Sequence, residues 1–216
     1  MEWKDSNITL PLPKRNELTS LIEQNGVRME VPAKKVFLKP GDTLNGVYYI
    51  AEGRTRHFMC APDGAEKLLY TLSAGWFYGE TPCVLHDSTG LFSKTEKPSV
   101  LYLIHVQNYD RLLAESSLFR EAILQSYSQK MRILRQEIAN LSFTPCKDRL
   151  RRLYCSTADT SCVIDGQWYD LKLNYTQYEI STIVGGARVT ITKLINELCA
   201  EGFIRVLNRK TQINIE

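Results

Sequence analysis

The sequence predicts an α+β protein with three parts in order. These are a β domain of jelly-roll type, one long helix, and a small C-terminal winged helix-turn-helix. Three observations carry this. Gly41, Gly46, Gly53, Gly64, Gly75 and Gly79 punctuate the first half at roughly even spacing. A stripe of apolar residues then steps by three and four. Finally, two short amphipathic segments flank Gly185-Gly186 and are followed by an alternating strand pair. The boundaries follow the same signals: 1–116, 117–143 and 144–216.

Between the glycines of the first part lie strand-like pieces, Val47–Ile50, Arg56–Met59 and Lys67–Tyr70. Pro40-Gly41-Asp42 and Pro62-Asp63-Gly64 are turn signals. Short strands at even spacing suggest a sandwich or jelly roll, which can enclose a small-molecule pocket. A leading helix is expected around Arg15–Gln24.

The long helix is expected over 117–142. Leu124, Tyr127, Met131, Leu134, Ile138 and Leu141 form an a/d heptad stripe over nearly three heptads. Ser128, Gln129, Arg132, Arg135 and Gln136 keep the neighbouring surface polar, so the stripe reads as the seam of a parallel homodimer. Pro145 ends the helix.

In the last part a first helix, Lys147–Ser156, carries Arg149, Arg151 and Arg152. Ile180, Ile183 and Val184 give the next helix an apolar face, and Gly185-Gly186 breaks it. Ile191, Leu194, Ile195 and Leu198 give the following helix its inner face. Its outer face begins Ala187, Arg188, Val189, Thr190, Thr192, Lys193, polar to basic with no acid before Glu197. A helix that enters the major groove N-terminus first needs such a surface. Thr176 and Gln177 open the preceding helix and are assigned to the same DNA-facing set. Phe203–Leu207 and Gln212–Ile215 alternate around Asn208-Arg209-Lys210, a wing whose Arg209 and Lys210 can meet phosphate.

The bulk numbers limit the alternatives. The chain has 216 residues, 44% hydrophobic and 24% charged, with a net charge of only +3, so any nucleic-acid contact must be local. No apolar run reaches the length of a membrane span, and Met1–Asp5 lacks the apolar core of a signal peptide, so a cytoplasmic location is expected. The six cysteines, Cys60, Cys83, Cys146, Cys155, Cys162 and Cys199, show no pairing rhythm and no CxxC. No nucleophile–base arrangement, P-loop, Rossmann glycine pattern or metal spacing is found, so no enzyme, cofactor or metal is expected.

A glycine-punctuated β domain, a dimer helix and a winged helix-turn-helix in that order resemble the Crp/Fnr family of bacterial transcription regulators. The local matches are Gly75-x-x-x-Gly79-Glu80 and Ile183-Val184-Gly185-x-x-Arg188-x-Thr190-Ile191. The resemblance implies a cyclic-nucleotide-binding-like β domain that senses a small effector. It also implies a homodimer on double-stranded DNA and a meeting with RNA polymerase. Within the family, Asp63–Tyr70 and Tyr127-Ser128-Gln129-Lys130 are similar to the CprK regulators of halorespiration. That similarity implies an effector site of Tyr70, Gly79, Glu80, Tyr127 and Lys130.

Two departures qualify the implication. Cyclic-AMP binders follow Gly-Glu with an Arg-Ser or Arg-Thr that grips the phosphate. Here Asp87–Phe92 holds no arginine, so cyclic AMP is not the expected effector. CprK-like proteins place a lysine where this chain has Glu80, and Glu80 cannot face a phenolate. Lys130 has no carboxylate at i±3 or i±4, so it needs water or an anion from outside the helix: an acidic aromatic effector, or Glu80. A haem- or thiol-based redox or gas sensor on the same scaffold is the alternative, with Cys83 and His86 in the loop after Glu80 as the candidate ligands. His57 and His105 read as strand residues with no partner cluster. Effector identity, target genes and the sign of regulation are not encoded in any motif found.

The recognition helix carries one further expectation. In many relatives a glutamate follows the arginine matching Arg188 and accepts a hydrogen bond from cytosine N4. Val189 stands there and can only pack on a thymine methyl, so an A/T-rich inverted repeat is expected, its half-sites one helical turn apart.

Overall fold

The computed structural model describes residues 15–207 and 210–215. Two compact units divide it: 15–60 with 68–136, and Ala61–Lys67 with 137–215. Each is described by itself.

The β unit opens with α1 (Arg15–Asn25), whose Leu18 and Ile22 are fully buried. Six strands follow: β1 (Val27–Val31), β2 (Val36–Leu38), β3 (Gly46–Cys60), β4 (Glu66–Ser73), β5 (Phe77–Tyr78) and β6 (Phe92–His105). They form one sheet in the order β1-β6-β3-β4, with β2 on β6 and β5 on β3. The pairings given in register are antiparallel, and β3 runs against β6 from Gly46↔His105 to Phe58↔Phe92.

The two pieces read separately in the sequence, Val47–Ile50 and Arg56–Met59, are one 15-residue strand. The glycine between them makes a bulge, not a turn. Gly53 sits at φ +95°, and a Cβ there would lie 2.2 Å from Ser99 Oγ. The register shifts on either side of it. Ser99 Oγ also accepts from the Arg54 amide at 3.2 Å, so the irregular backbone is hydrogen-bonded across the bulge.

Two helices were not foreseen. Glu80–Leu85, expected as loop, is α2. Gly79 enters it at φ +90°, and a side chain there would lie 2.7 Å from Leu44 Cδ2. Pro82 falls in the first turn, where its missing N–H leaves no bond unmade. The second is α3 (Val106–Glu115), which buries Tyr109 and Leu112.

The long helix α4 (Ser117–Phe143) matches its expected span. It carries two apolar faces. Phe119, Ala122, Ile123 and Ile133 are buried, together with the polar Ser126 and Lys130. Leu124 (62% exposed), Tyr127, Met131, Ile138 (65%) and Leu141 are open to solvent, while Leu134 is half-buried. The a/d stripe is therefore not the face that covers this chain's own core.

The C-terminal unit begins with α5 (Cys146–Thr157), continues through β7 (Trp168–Asp170), α6 (Gln177–Val184) and α7 (Arg188–Ala200), and ends in β8 (Ile204–Leu207) and β9 (Lys210–Asn214). Its core joins Leu150, Tyr154, Ile180, Val184, Ile191, Leu198, Phe203 and Ile213. The wing is antiparallel, Leu207 opposite Lys210, and β9 starts two residues earlier than the alternation suggested. Strand β7 adds to β9 as a third member. Asn208 and Arg209, the expected wing tip, lie outside the described residues.

Candidate nucleic-acid interface and effector cavity

The helix pair is fixed locally before any packing is considered. Thr176 caps α6: its hydroxyl accepts from the Glu179 amide at 3.2 Å, and the Glu179 carboxylate accepts from the Thr176 amide at 2.8 Å. Gly185 ends α6 at φ +72°. Its neighbour Gly186 is needed for space, since a Cβ there would lie 2.9 Å from Cys146 Sγ. Arg149 then clamps the turn. Its Nε donates to Val184 O at 2.9 Å, Nη1 to Thr144 O at 2.6 Å and Nη2 to Gly185 O at 3.2 Å. Arg149 thus serves the turn rather than DNA.

The turn delivers the N-terminus of α7 to the surface. Ala187, Arg188, Val189, Thr190 and Lys193 are all exposed, while Ile191 and Leu198 are fully buried behind them. Val189 is 83% exposed, an apolar side chain left uncovered among the described residues. Arg188 and Lys193 make no ion pair among the described residues. Their charge is available to an external anion. The Thr192 hydroxyl lies 3.0 Å from Gln177 Oε1, tying the start of α6 to α7. Thr176 and Gln177 are exposed beside it. On the wing, Lys210 is exposed and lies a loose 3.8 Å from Asp170. Arg205 is spent internally on Asp165 at 2.5 Å and on the Trp168 ring at 4.4 Å.

The β unit holds a cavity of about 320 Å³. Its apolar wall includes Leu38, Leu44, Leu69, Leu91, Met131 and Leu134, and all five effector-site residues expected from the sequence border it: Tyr70, Gly79, Glu80, Tyr127 and Lys130. The segment Asp87–Leu91 contributes to the wall, and no arginine among the described residues does.

Lys130 is only 7% exposed. Its Nζ donates to both carboxylate oxygens of Glu80, at 2.5 and 2.6 Å, and Ser126 Oγ donates to Glu80 Oε1 at 3.1 Å. Burial pushes the Lys130 ammonium down, and the Glu80 charge pushes back. Glu80, one of the two anions that the sequence left open for Lys130, is paired with it.

Two residues in the cavity wall escaped the sequence reading. His57 was read as a strand residue without partners. It is 2% exposed, with Nε2 3.0 Å from Thr55 Oγ1 and Nδ1 3.0 Å from Ser93 Oγ. Burial, helped by the Lys130 charge, lowers it to about 3, so it is neutral. Tyr78 stacks on Tyr48 at 4.9 Å and packs on Phe37 and His57. Its phenol is pushed well up by burial, and its hydroxyl is buried without a hydrogen-bond partner among the described residues. Neither residue has a sequence motif, and alternation does not single out Tyr78, whose neighbours Trp76 and Phe77 are buried as well.

His57 has a consequence for acid stability. Its folded value lies below its unfolded 6.5, so the unfolded chain binds a proton that the folded chain refuses. Its contribution is whole above pH 6.5 and drains away as pH falls toward 3. Between pH 6.5 and 5 this costs about 2 kcal/mol. Urea unfolding of His57→Gln should show a pH slope flatter by that amount, and parallel slopes for both proteins would refute it.

The candidate haem or thiol pair is not brought together. Cys83 is buried in the core beside Tyr109 and Leu112, its thiol pushed up chiefly by burial, while His86 is exposed at the end of α2 in the left-handed region. Among the described residues no cluster of His, Cys, Asp and Glu could hold a metal, and no helix is long and apolar enough to cross a membrane.

Comparison with known proteins finds likeness along most of the chain. Residues 28–116 match the cyclic nucleotide-binding domain. A CRP-like cAMP-activated global transcriptional regulator of Mycobacterium tuberculosis is 24% identical over 181 residues, 82% of this chain and 77% of its own. A Crp/Fnr-family transcriptional regulator from Thermus thermophilus superposes with a TM-score of 0.65 at 25% identity, covering 87% of this chain and 93% of that one. The chain is similar to Crp/Fnr-family transcription regulators over most of its length. The structure of OCPA-complexed CprK shares the regulator's fold at a TM-score of 0.68 and 18% identity, covering 91% of this chain and 90% of that one. Members of this family bind DNA, dimerise and respond to effectors.

Proposed function

We propose that the protein is a homodimeric, cytoplasmic one-component transcription factor that reads an A/T-rich inverted repeat and answers to a small effector other than cyclic AMP. Residues 1–116 sense, 117–143 dimerise and 144–216 bind DNA, where the bound protein meets RNA polymerase. The observation that carries the DNA reading is the exposed start of α7. Arg188 and Lys193 are free of internal ion pairs among the described residues, and Val189 is bare beside them. Arg188 reads one guanine through O6 and N7, and Val189 packs on a thymine methyl. Thr176, Gln177, Ala187, Thr190, Thr192, Lys193, Arg209 and Lys210 complete the contacts, those on the wing to phosphate. Leu124, Tyr127, Met131, Leu134, Ile138 and Leu141 form the seam between two copies of α4.

The effector part rests on the cavity in the β unit. Among the described residues a cyclic phosphate would find no guanidinium in the wall, and the ammonium of Lys130 there is already taken by Glu80. The effector acts by its differential affinity for the DNA-competent state. No catalytic constellation lines the cavity, and the chain is read as a regulator, not an enzyme.

Selection of bound duplexes from a random pool tests the reading of α7. The wild type should prefer A·T at the base pair under Val189. Val189→Glu should shift that position toward G·C, with discrimination of about 1–3 kcal/mol. A wild-type preference for G·C there would refute the placement of α7.

A further inference from the structure

We propose that Lys67 is a positioning residue for DNA reading: its ammonium fastens the turn between α6 and α7 to the last turns of α4. This rests on the reading of α7 as the recognition helix and deepens it. By sequence Lys67 stands in the sensing segment, at the start of β4. In the fold it belongs to the same compact unit as the end of α4 and the helices that follow. Its Nζ donates to Ile183 O at 2.6 Å and to Glu137 Oε2 at 2.8 Å. Asn140, only 8% exposed, donates through Nδ2 to Glu137 Oε1 at 3.3 Å, so both oxygens of the carboxylate are engaged. One ammonium thus joins its own strand to segments 70 and 116 positions away.

Helix chemistry says why a cation belongs there. The carbonyls of the last turn of α6 have no partner inside the helix. Ile183 O goes to Lys67, and Val184 O and Gly185 O go to Arg149. Two cations therefore meet three successive carbonyls at the negative end of the helix dipole. Their effects differ. Arg149 sits on α5, which shares one core with α6 and α7, and it tightens that group of helices from within. Lys67, through Glu137, ties the group to α4 on the other side of Pro145. A Cβ at Gly185 would lie 3.0 Å from Leu141 Cδ2 and 3.4 Å from Lys67 Cδ, so both close on the turn itself. Arg188, Val189 and Lys193 stay exposed in this arrangement, so the contact presents α7 and does not cover it. A turn already fixed to α4 loses less freedom on meeting DNA than one free to pivot about Pro145.

The test measures the affinity of full-length variants for the duplex that the wild type selects from the random pool, over a range of salt. Lys67→Met should bind about fivefold more weakly, the loss of one hydrogen bond from a charged donor. Its salt dependence should stay that of the wild type, because Lys67 touches no phosphate. Glu137→Ala should weaken binding by a similar factor, although removing an acid would by itself favour DNA. The double variant should lose no more than either single one. Lys67→Arg, which keeps donors for both acceptors, should retain most of the affinity. If Lys67→Met flattens the salt slope by about 0.9 while Glu137→Ala binds at least as tightly as the wild type, Lys67 is a phosphate contact and the inference falls. Wild-type affinity in both single variants would also overturn it and leave the reading of α7 standing. A wild type that selects no duplex would overturn the reading of α7 and this inference with it.

Discussion

Replacing Ile138 with glutamate is expected to turn the dimer into a monomer. Ile138 is 65% exposed in a single chain, so the substitution leaves the chain's own core alone. In the proposed dimer, two such residues would face each other across the seam. Two carboxylates would then be buried side by side without partners, at a cost of several kcal/mol. That is enough to undo a seam of six residues per helix. Leu124→Glu, near the other end of α4 and similarly exposed, should act the same way. Leu134 is a poorer probe because it also borders the cavity. Sedimentation at micromolar concentration should show monomers with unchanged circular dichroism, and binding to the full inverted repeat should fall by orders of magnitude because the two half-sites no longer act together. A fully dimeric Ile138→Glu protein would sink the seam.

Lys130→Ala should be among the most destabilising single changes in the β unit. It removes the one cation from a buried carboxylate and leaves Glu80 with the Ser126 hydroxyl alone. Breaking a buried pair from one side costs about 3–5 kcal/mol, far more than the pair is worth against an apolar replacement of the same shape. The double variant Lys130→Met with Glu80→Gln should therefore recover most of the loss. Urea unfolding of the two variants decides it. If Lys130→Ala lies within about 1 kcal/mol of the wild type, Lys130 is a solvated lysine and the pair is not a structural element.

The contrast between these sites shows what the sequence determined by itself. Wherever a feature depends on local chemistry and a fixed period, it was legible. The capping box of Thr176 and Glu179, the glycine stop at Gly185, the inner face Ile191–Leu198 and the exposed start of α7 are all written within about twenty-five residues of one another. The a/d stripe was legible for the same reason, and its exposure follows because a 3,4 repeat keeps to one narrow face of a helix. Helix α3 was legible too, through Val106, Tyr109, Leu112 and Leu113, but its ten residues fell between two stronger signals and went unread.

Gly53 is the plainest case of the opposite kind. A glycine between two strand-like pieces signals a turn in sequence, and only Ser99, 46 positions away, makes it a bulge in one continuous strand. The cavity is decided in the same way. Glu80 and Lys130 are 50 residues apart, and the sequence could say only that Lys130 lacked a local anion. That its partner is Glu80, that His57 is neutral, and that the Tyr78 hydroxyl has no partner among the described residues all depend on which strands and helices close around one volume. Pairing across such separations is set by packing and desolvation in the folded chain, which no local period records.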